Sequence, residues 1–465
     1  MKIEALSRMT IEELTQGYRV CSIDPVEVMA CTLDQVARVN GRINALYGLE
    51  AGRALTEAHA ASQRYRSGQS VGVLDGVPVT IKDSVQAVGM RWHHGSSAHG
   101  AGVVGTKDSP PVERLKAAGA IIFAKGAMPD YGLSGSGVSS FHGIVRNPWG
   151  LRWSSGGSSA GCAASLAAGI GMMSVGSDIA GSVRLPASHC GLAALKPTQG
   201  MIPHTPASDI RSAGPMTRHA ADLELLLDVL GGVHADDRFS VPVMPPPNAP
   251  LSQARVDACA DFGFGPKVER DVLAVFENAR NVLASIVSSV EPVETRFDFD
   301  ACMPINESFK LRGWREYAAA SDEHRDKTPR ELVEWFAPAR TWTAAKVAEF
   351  EQGIARGVAQ ANAMLDGIDF LLTPVMPVVN FAAEALGPDP AMPLRHCTFT
   401  ALSNQSGHPA VAICAGFDPR GLPVGVQIVG HRFDDVRLVR LAAALERALR
   451  DGDRQGQSWP VSPTE

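Results

Sequence analysis

Residues 154–200 read SSGGSSAGCAASLAAGIGMMSVGSDIAGSVRLPASHCGLAALKPTQG. No other part of the chain is so dense in Gly and Ser while also carrying the patterns of a folded segment. Gly/Ser-rich runs commonly serve as flexible linkers. Here the Ala-, Gly- and Leu-rich run Ser159–Met172 predicts a tightly packed, buried helix, and Met173–Gly176 predicts a short core strand. Asp178, Arg184 and Lys196 interrupt an otherwise uncharged run, and a linker has no reason to place them there.

Upstream, the first 70 residues read as helical. Val28, Met29, Leu33, Val36 and Val39 recur near helical spacing over Pro25–Val39, with Asp24 as a cap and Pro25 in the first helical position. The run GVLDGVPVTIK (72–82) reads as a turn into a β-branched strand. Pro110–Gly119 predicts a short helix capped by Ser109, and AIIFA (120–124) a strand buried on both faces of a parallel sheet. Downstream, Ala220–Leu230 reads as a helix, and VPVMPPPNAP (241–250) is too Pro-rich for regular structure. From about 255 to 365 the pattern is mainly helical, with Val272, Val275, Phe276, Ala279, Val282, Leu283 and Ile286 on one stripe. Strand patterns return at Phe370–Leu372, Ala410–Cys414 and Val424–Val429, before a last amphipathic helix with Leu438, Leu441, Leu445 and Leu449. Strands alternating with helices argue for the α/β class with a mixed sheet.

Composition narrows the function. The chain has 465 residues, 45% hydrophobic and 20% charged, enough to bury a sizeable core without staples. Its net charge of −6 argues against direct nucleic-acid binding. The opening MKIEALSRMTIEEL has no continuous apolar run and predicts no secretory signal. The longest uncharged stretch, Trp153–Ser177, has an apolar part shorter than the ~20 residues of a membrane span. Eight scattered cysteines without C-x-x-C spacing predict reduced, mostly buried thiols in a cytoplasmic protein.

The Gly/Ser-rich run also carries candidate chemistry. In SDIAGSVR, short residues flanking Ser182 let backbone N–H groups converge on one point, as in an anion nest or oxyanion hole. A serine nucleophile needs a base. Nearby histidines are His189, His142 and the pair His93–His94. Lys82 is another candidate, because the apolar VPVTI before it would disfavour its charge. Bringing a lysine from about 10.4 to near 7 costs the charged form about 4–5 kcal/mol, which burial can supply. On composition alone, the plainer reading of Lys82 as an end-of-strand lysine paired with Asp83 prevails. Gly157–Gly161 also fits G-x-S-x-G, the nucleophile elbow with Ser159, though the pattern is weak in a Gly/Ser-rich run. Dinucleotide, P-loop and metal-ligand spacings are absent from the sequence.

Several long motifs, in order, resemble the amidase signature family of serine hydrolases. They are GVPVTIKD (76–83), LKAAGAIIFAKGAMPDYG (115–132), RNPW (146–149), GGSSAGCAAS (156–165) and GSDIAGSVRLPASHCGLAALKPTQG (176–200). GPMTRHAADLELLLDVL (214–230), NQSGHPAVAICAGF (404–417) and GLPVGVQIVG (421–430) extend the likeness over most of the chain. The resemblance implies an α/β fold with a central mixed, largely parallel β-sheet surrounded by helices. It implies Ser182 as nucleophile, Ser158 as bridging serine after a cis peptide from Gly157, and Lys82 as base. The N–H groups of Ile179, Ala180, Gly181 and Ser182 would form the oxyanion hole. Asp178 and Arg184 match as supporting residues, and Met128 and Asn147 as substrate-binding ones. The chain departs from the family pattern at Ala160 and Ala180, where Gly is usual, and the Ala180 methyl is expected to point away from the turn.

Implied, then, is one domain over 1–465. It has an N-terminal helical part (1–70), a catalytic core (71–230), a variable helical insert shaping the pocket (235–365), and C-terminal strands and helix (366–465). Pocket residues are expected from 125–135, from the insert with Trp314, Tyr317, Trp335, Phe336 and Trp342, and from 373–404; aromatics of this kind are more often core. The implied activity is hydrolysis of a small-molecule amide through an acyl-enzyme, releasing ammonia or an amine, with an aryl amide among the candidates. No cofactor or metal is implied, nor a nucleic-acid or membrane partner, and a homodimer is compatible. The alternative is the glutamine-hydrolysing component of a tRNA-dependent amidotransferase, which works in a complex.

Overall fold

A computed structural model describes residues 1–294, 297–451 and 459–464. Its frame is an 11-stranded sheet. In chain order the strands are β1 (Leu46–Tyr47), β2 (Pro78–Lys82), β3 (Ile121–Gly126), β4 (Met173–Asp178), β5 (Ala193–Lys196), β6 (Ser212–Thr217), β7 (Arg255–Ala258), β8 (Ser289–Pro292), β9 (Phe370–Pro374), β10 (Ala410–Phe417) and β11 (Pro423–Gly430). Their spatial order is β1-β3-β2-β4-β6-β5-β10-β11-β9-β7-β8. The expected central, mixed sheet with helices around it is observed. Its parallel pairs lie toward the two flanks: β3, β2 and β4 on one side, β9, β7 and β8 on the other. Between them β4, β6, β5, β10, β11 and β9 run antiparallel to their neighbours. Strands β2, β3 and β4 are buried along their whole lengths, as parallel strands covered on both faces are.

Local rules account for most element ends. The helix Pro25–Ile43 starts where Asp24 accepts a hydrogen bond from the Val26 N–H at 2.9 Å. Ser109 precedes the helix Pro110–Ala117 but does not cap it, because its hydroxyl donates to the Gln86 carbonyl at 3.0 Å. The buried helix predicted for 159–172 spans only Ala160–Ala167; Gly169 and Gly171 take left-handed φ of 81° and 71° and turn the chain into β4. A side chain at Gly161 would place its Cβ 2.1 Å from the Ala45 carbonyl oxygen, so glycine lets this helix press against the 45–47 segment.

The segment 255–365 is not purely helical. Arg255–Ala258 and Ser289–Pro292 pair in parallel at the sheet edge, and both are too short and polar to signal strands. Between and after them lie the helices Arg270–Leu283, Cys302–Ala319, Arg330–Phe336 and Ala344–Ala363. The first buries Val272, Phe276, Ala279 and Leu283, four residues of the predicted stripe. Trp335 and Phe336 are buried in an apolar cluster, with Trp314 and Tyr317 packed against it, while Trp342 packs edge-on against Phe350. Among the described residues no helix is long and apolar enough to cross a membrane.

Candidate active site

Strands β2 and β4 are parallel neighbours, so their C-terminal ends open on one edge of the sheet. Ligand sites of α/β proteins form outside such edges. Lys82 ends β2, and Ser177 and Asp178 end β4. The turn before the helix Ala160–Ala167 brings Ser158 between them. Lys82 Nζ donates to Ser158 Oγ at 2.8 Å and lies 3.2 Å from Ser177 Oγ and 3.3 Å from the Ser177 carbonyl oxygen. Lys82 is buried, and burial pushes its pKa from its ordinary value down to about 7; the charges of Arg312 and Arg211 push the same way, against Asp178 and Cys162. Asp83 is not its partner. That carboxylate instead accepts from the Gly95 N–H at 2.6 Å and the His93 N–H at 2.8 Å, and takes the hydroxyl of Tyr47 as well. The end-of-strand pairing that composition favours is thus not made.

The Gly157–Ser158 peptide is cis. A Cβ at residue 157 would sit 2.2 Å from the Ser136 carbonyl oxygen, so only glycine fits. Gly132 covers Ser158 from the other side: a Cβ there would lie 3.3 Å from Ser158 Oγ and 3.1 Å from Met128 Cε. Met128 therefore lies within reach of Ser158. Residue 182 is tied to the same turn, because the Ser159 N–H donates to the Ser182 carbonyl at 3.1 Å. Ser182 is half-buried, and its hydroxyl makes no hydrogen bond to another described residue.

The segment 178–184 is a preorganised turn. Asp178 accepts from the Gly181 N–H at 2.7 Å, from the Val183 N–H at 3.1 Å, and from Arg184 at 2.9 and 3.0 Å. Arg184 is fully buried and also reaches Ser403, Asn404 and Gln427. Burial alone would raise the Asp178 carboxyl, but Arg184 and the two backbone donors hold it at about 2. The Gly181 N–H is thereby engaged. Among the described residues the N–H groups of Ile179, Ala180 and Ser182 have no acceptor, and these are the donors this turn offers an oxyanion. Ala180 belongs to the apolar cluster with Leu185 and Leu402, and its carbonyl accepts from Thr400 at 2.6 Å.

Asn147 is not brought to the site. Its Nδ2 donates to the carbonyls of His189 at 2.7 Å and Ser154 at 3.0 Å, and its Oδ1 accepts from the Trp149 N–H, so every polar atom is used in bracing the loop. The histidines are occupied elsewhere: His142 lies 3.3 Å from Asp83, His93 stacks on Phe141, and His189, pushed to about 3 by burial, packs against Phe381. Ser159 sits at the start of its helix with its hydroxyl toward the Ser177 carbonyl at 3.5 Å, not in an elbow beside a histidine. Sequence reasoning missed Ser177, whose signal was its place directly before Asp178 at a strand end. It also missed Arg211 and Arg312. His94, His99 and Glu316 bring donor atoms within 4.8 Å of one another, but the Arg312 cation is close enough to lower His94 further and disfavours a metal ion there.

The family model described as Amidase matches residues 27–439. Curated relatives include the glutamyl-tRNA(Gln) amidotransferase A chain of Desulfosudis oleivorans, 28% identical over 96% of this chain and 98% of that one. Its counterpart in Prochlorococcus marinus is 29% identical, over 95% and 97%. Among solved structures, a 6-aminohexanoate cyclic dimer hydrolase superposes with a TM-score of 0.85 at 26% identity, covering 96% of this chain and 97% of that one. A bacterial aryl acylamidase superposes with a TM-score of 0.87 at 24% identity, covering 98% of both, a likeness of fold.

Proposed function

This chain belongs to the amidase family and is an amide-hydrolysing enzyme, and we propose that it cleaves a carboxylic amide C–N bond through an acyl-enzyme at Ser182, with Ser158 and Lys82 as the proton relay. The observation that carries this reading is the buried Lys82 Nζ within 2.8 Å of Ser158 Oγ, beside the turn that holds Ser182.

The chemistry follows from the neutral amine. Uncharged Lys82 accepts the Ser158 proton as Ser158 takes the proton of Ser182. The Ser182 oxygen attacks the amide carbonyl carbon, and the oxyanion is held by the N–H groups of Ile179, Ala180 and Ser182. The proton then returns through Ser158 to the leaving nitrogen, which departs as ammonia or an amine. That return is essential, because an amide anion is a very poor leaving group. Water, activated by the same relay, attacks the ester, and the carboxylic acid leaves with Ser182 restored. Asp178 and Arg184 hold the turn; Ser177 holds the amine.

The test is a set of variants and a substrate panel. Ser182→Ala and Lys82→Ala should abolish turnover and Ser182→Ala should abolish fluorophosphonate labelling, while single alanine changes at His142 and His189 leave turnover within a few-fold. Loss of activity in Ser159→Ala and a histidine variant, with Lys82→Ala active, would overturn the relay. Aliphatic amides, anilides and glutamine tested on the isolated chain separate the two substrate readings. The second reading, the glutamine-hydrolysing component of an amidotransferase complex, is supported by the names of the curated relatives, at 27–29% identity over nearly the whole chain. It requires ammonia release from glutamine that depends on a partner and an acylated tRNA.

A further inference from the structure

Two guanidinium groups lie near this site, close enough to each other to repel. Arg312, on the helix Cys302–Ala319, directs Nη2 to the Tyr131 carbonyl at 3.4 Å. Tyr131 precedes Gly132, whose Cα faces Ser158 Oγ. Arg211 arrives through the sheet. The antiparallel register sets Ser212 of β6 against Asp178 of β4, so Arg211 is one step beyond, opposite Ile179 at the start of the turn. Arg211 Nη2 donates to the Pro206 carbonyl at 2.6 Å, while its Nε is enclosed without a partner.

Neither guanidinium lies within 4.0 Å of a carboxylate among the described residues. Glu316, one turn along from Arg312, attracts both and also faces His94, whose Nδ1 is 3.9 Å from Glu316 Oε2. Burial pushes His94, His99 and His204 down, away from the charged form. The carboxylates that act on the two guanidinium groups are thus Glu316 and, for Arg211 alone, Asp237, and neither is in direct contact with them. A partly buried cation with no counter-charge in direct contact is costly, and a ligand can supply that contact. Arginine forks match a carboxylate bidentately.

We infer that the substrate is an amide bearing a carboxylate, held by Arg312 and Arg211 while its scissile carbonyl enters the turn at 179–182. The inference rests on the amidase reading above and names its substrate class. It applies whether the carboxylate is on the acyl or the amine side.

The experiment compares monoamides of dicarboxylic acids (succinamate, glutaramate, adipamate) and carboxylate-bearing anilides with neutral amides of matched length. In wild type, kcat/KM for the best anionic amide should exceed its neutral match at least tenfold, chiefly through KM, and the advantage should shrink as salt rises. In Arg312→Gln and Arg211→Gln the anionic-to-neutral ratio should fall at least tenfold, and Arg312→Lys should restore part of it. Fluorophosphonate labelling of Ser182 reports that each variant is folded and its nucleophile competent. Equal turnover of anionic and neutral amides in wild type, or an unchanged ratio in both glutamine variants, overturns the inference while the amidase reading stands. Absence of turnover and of labelling in wild type overturns the amidase reading itself.

Discussion

Lys82 and Lys196 invite comparison. Both end strands of one sheet, both are fully buried, and burial pushes both far below the ordinary lysine range. Their surroundings differ. Lys82 points its amine at two serine hydroxyls beside a turn with unpartnered N–H groups. Lys196 donates to the adjacent Pro197 carbonyl at 2.6 Å and faces the Asp435 charge, while Asp435 is itself bound by the N–H of Thr198 at 2.7 Å. A depressed lysine is thus not by itself a catalytic signature. What distinguishes Lys82 is a neighbour that can pass a proton onward to a group with nothing else to bond. At Lys196 the same low charge is locked into a closed structural contact.

The largest effect that could break this contrast is chemical. Lys82→Met should lower kcat at least about 10³-fold and Ser182→Ala more, on the scale seen when one member of a catalytic unit is removed. Lys196→Met should leave kcat within about threefold and instead cost about 1–3 kcal/mol of stability, as the loss of one buried hydrogen bond does. Steady-state kinetics and urea unfolding on both variants decide the matter; comparable kcat losses would erase the distinction.

Next in size is the support of the turn. Arg184→Met leaves Asp178 charged, buried and without its partner. Removing one member of a buried pair costs about 3–5 kcal/mol. Because Asp178 also holds Gly181 and Val183, kcat should fall along with stability. A variant that unfolds earlier yet keeps full kcat at low temperature would show that the turn holds itself. Gly157→Ala tests the other wall. Its new methyl meets the Ser136 carbonyl, and such overpacking costs about 1–3 kcal/mol. Here kcat should drop at least tenfold while the unfolding midpoint moves only modestly.

The contrast also marks what a sequence can tell. Lys82, Ser158 and Ser182 sit in dense motifs because the backbone around them tolerates few residues: Gly157 and Gly132 each face an atom that a side chain would strike or crowd. Such positions are legible. Buried strands such as β2 and β3 are legible from the largely apolar runs VPVTI and AIIFA. Ser177, Arg211 and Arg312 were not. A serine before an aspartate is common, and the two arginines gain meaning only when β6 lies against β4 and a distant helix lies over residue 131. Asn147 failed in the opposite sense. Its motif position matched, yet its three hydrogen bonds brace a loop. The short strands β7 and β8, at one end of the sheet, escaped because RVDA and SVEP carry too few apolar residues to show a period.

The smallest and most specific effect is the pH dependence. If the relay needs a neutral amine, kcat/KM rises with pH through about 7, the value to which burial lowers Lys82. The same displacement acts on stability with a fixed sign. An unfolded lysine holds its proton up to about pH 10.4, whereas folded Lys82 releases it near 7, so between these values the unfolded chain binds more protons. Stability from this group therefore increases with pH across that window, by no more than about 1.4 kcal/mol per pH unit. Lys125, pushed to about 8 by burial, and Lys196 contribute in the same direction. Tyr18 and Tyr47, raised by burial, oppose them at higher pH. The wild-type curve alone cannot isolate one residue, but its difference from Lys82→Met can. Measured by urea unfolding from pH 7 to 9.5, that difference should climb steadily for Lys82, and the acid limb of kcat/KM should fall in the same range as its lower end. A flat difference would mean that Lys82 keeps its proton when folded, and the serine relay would have no base.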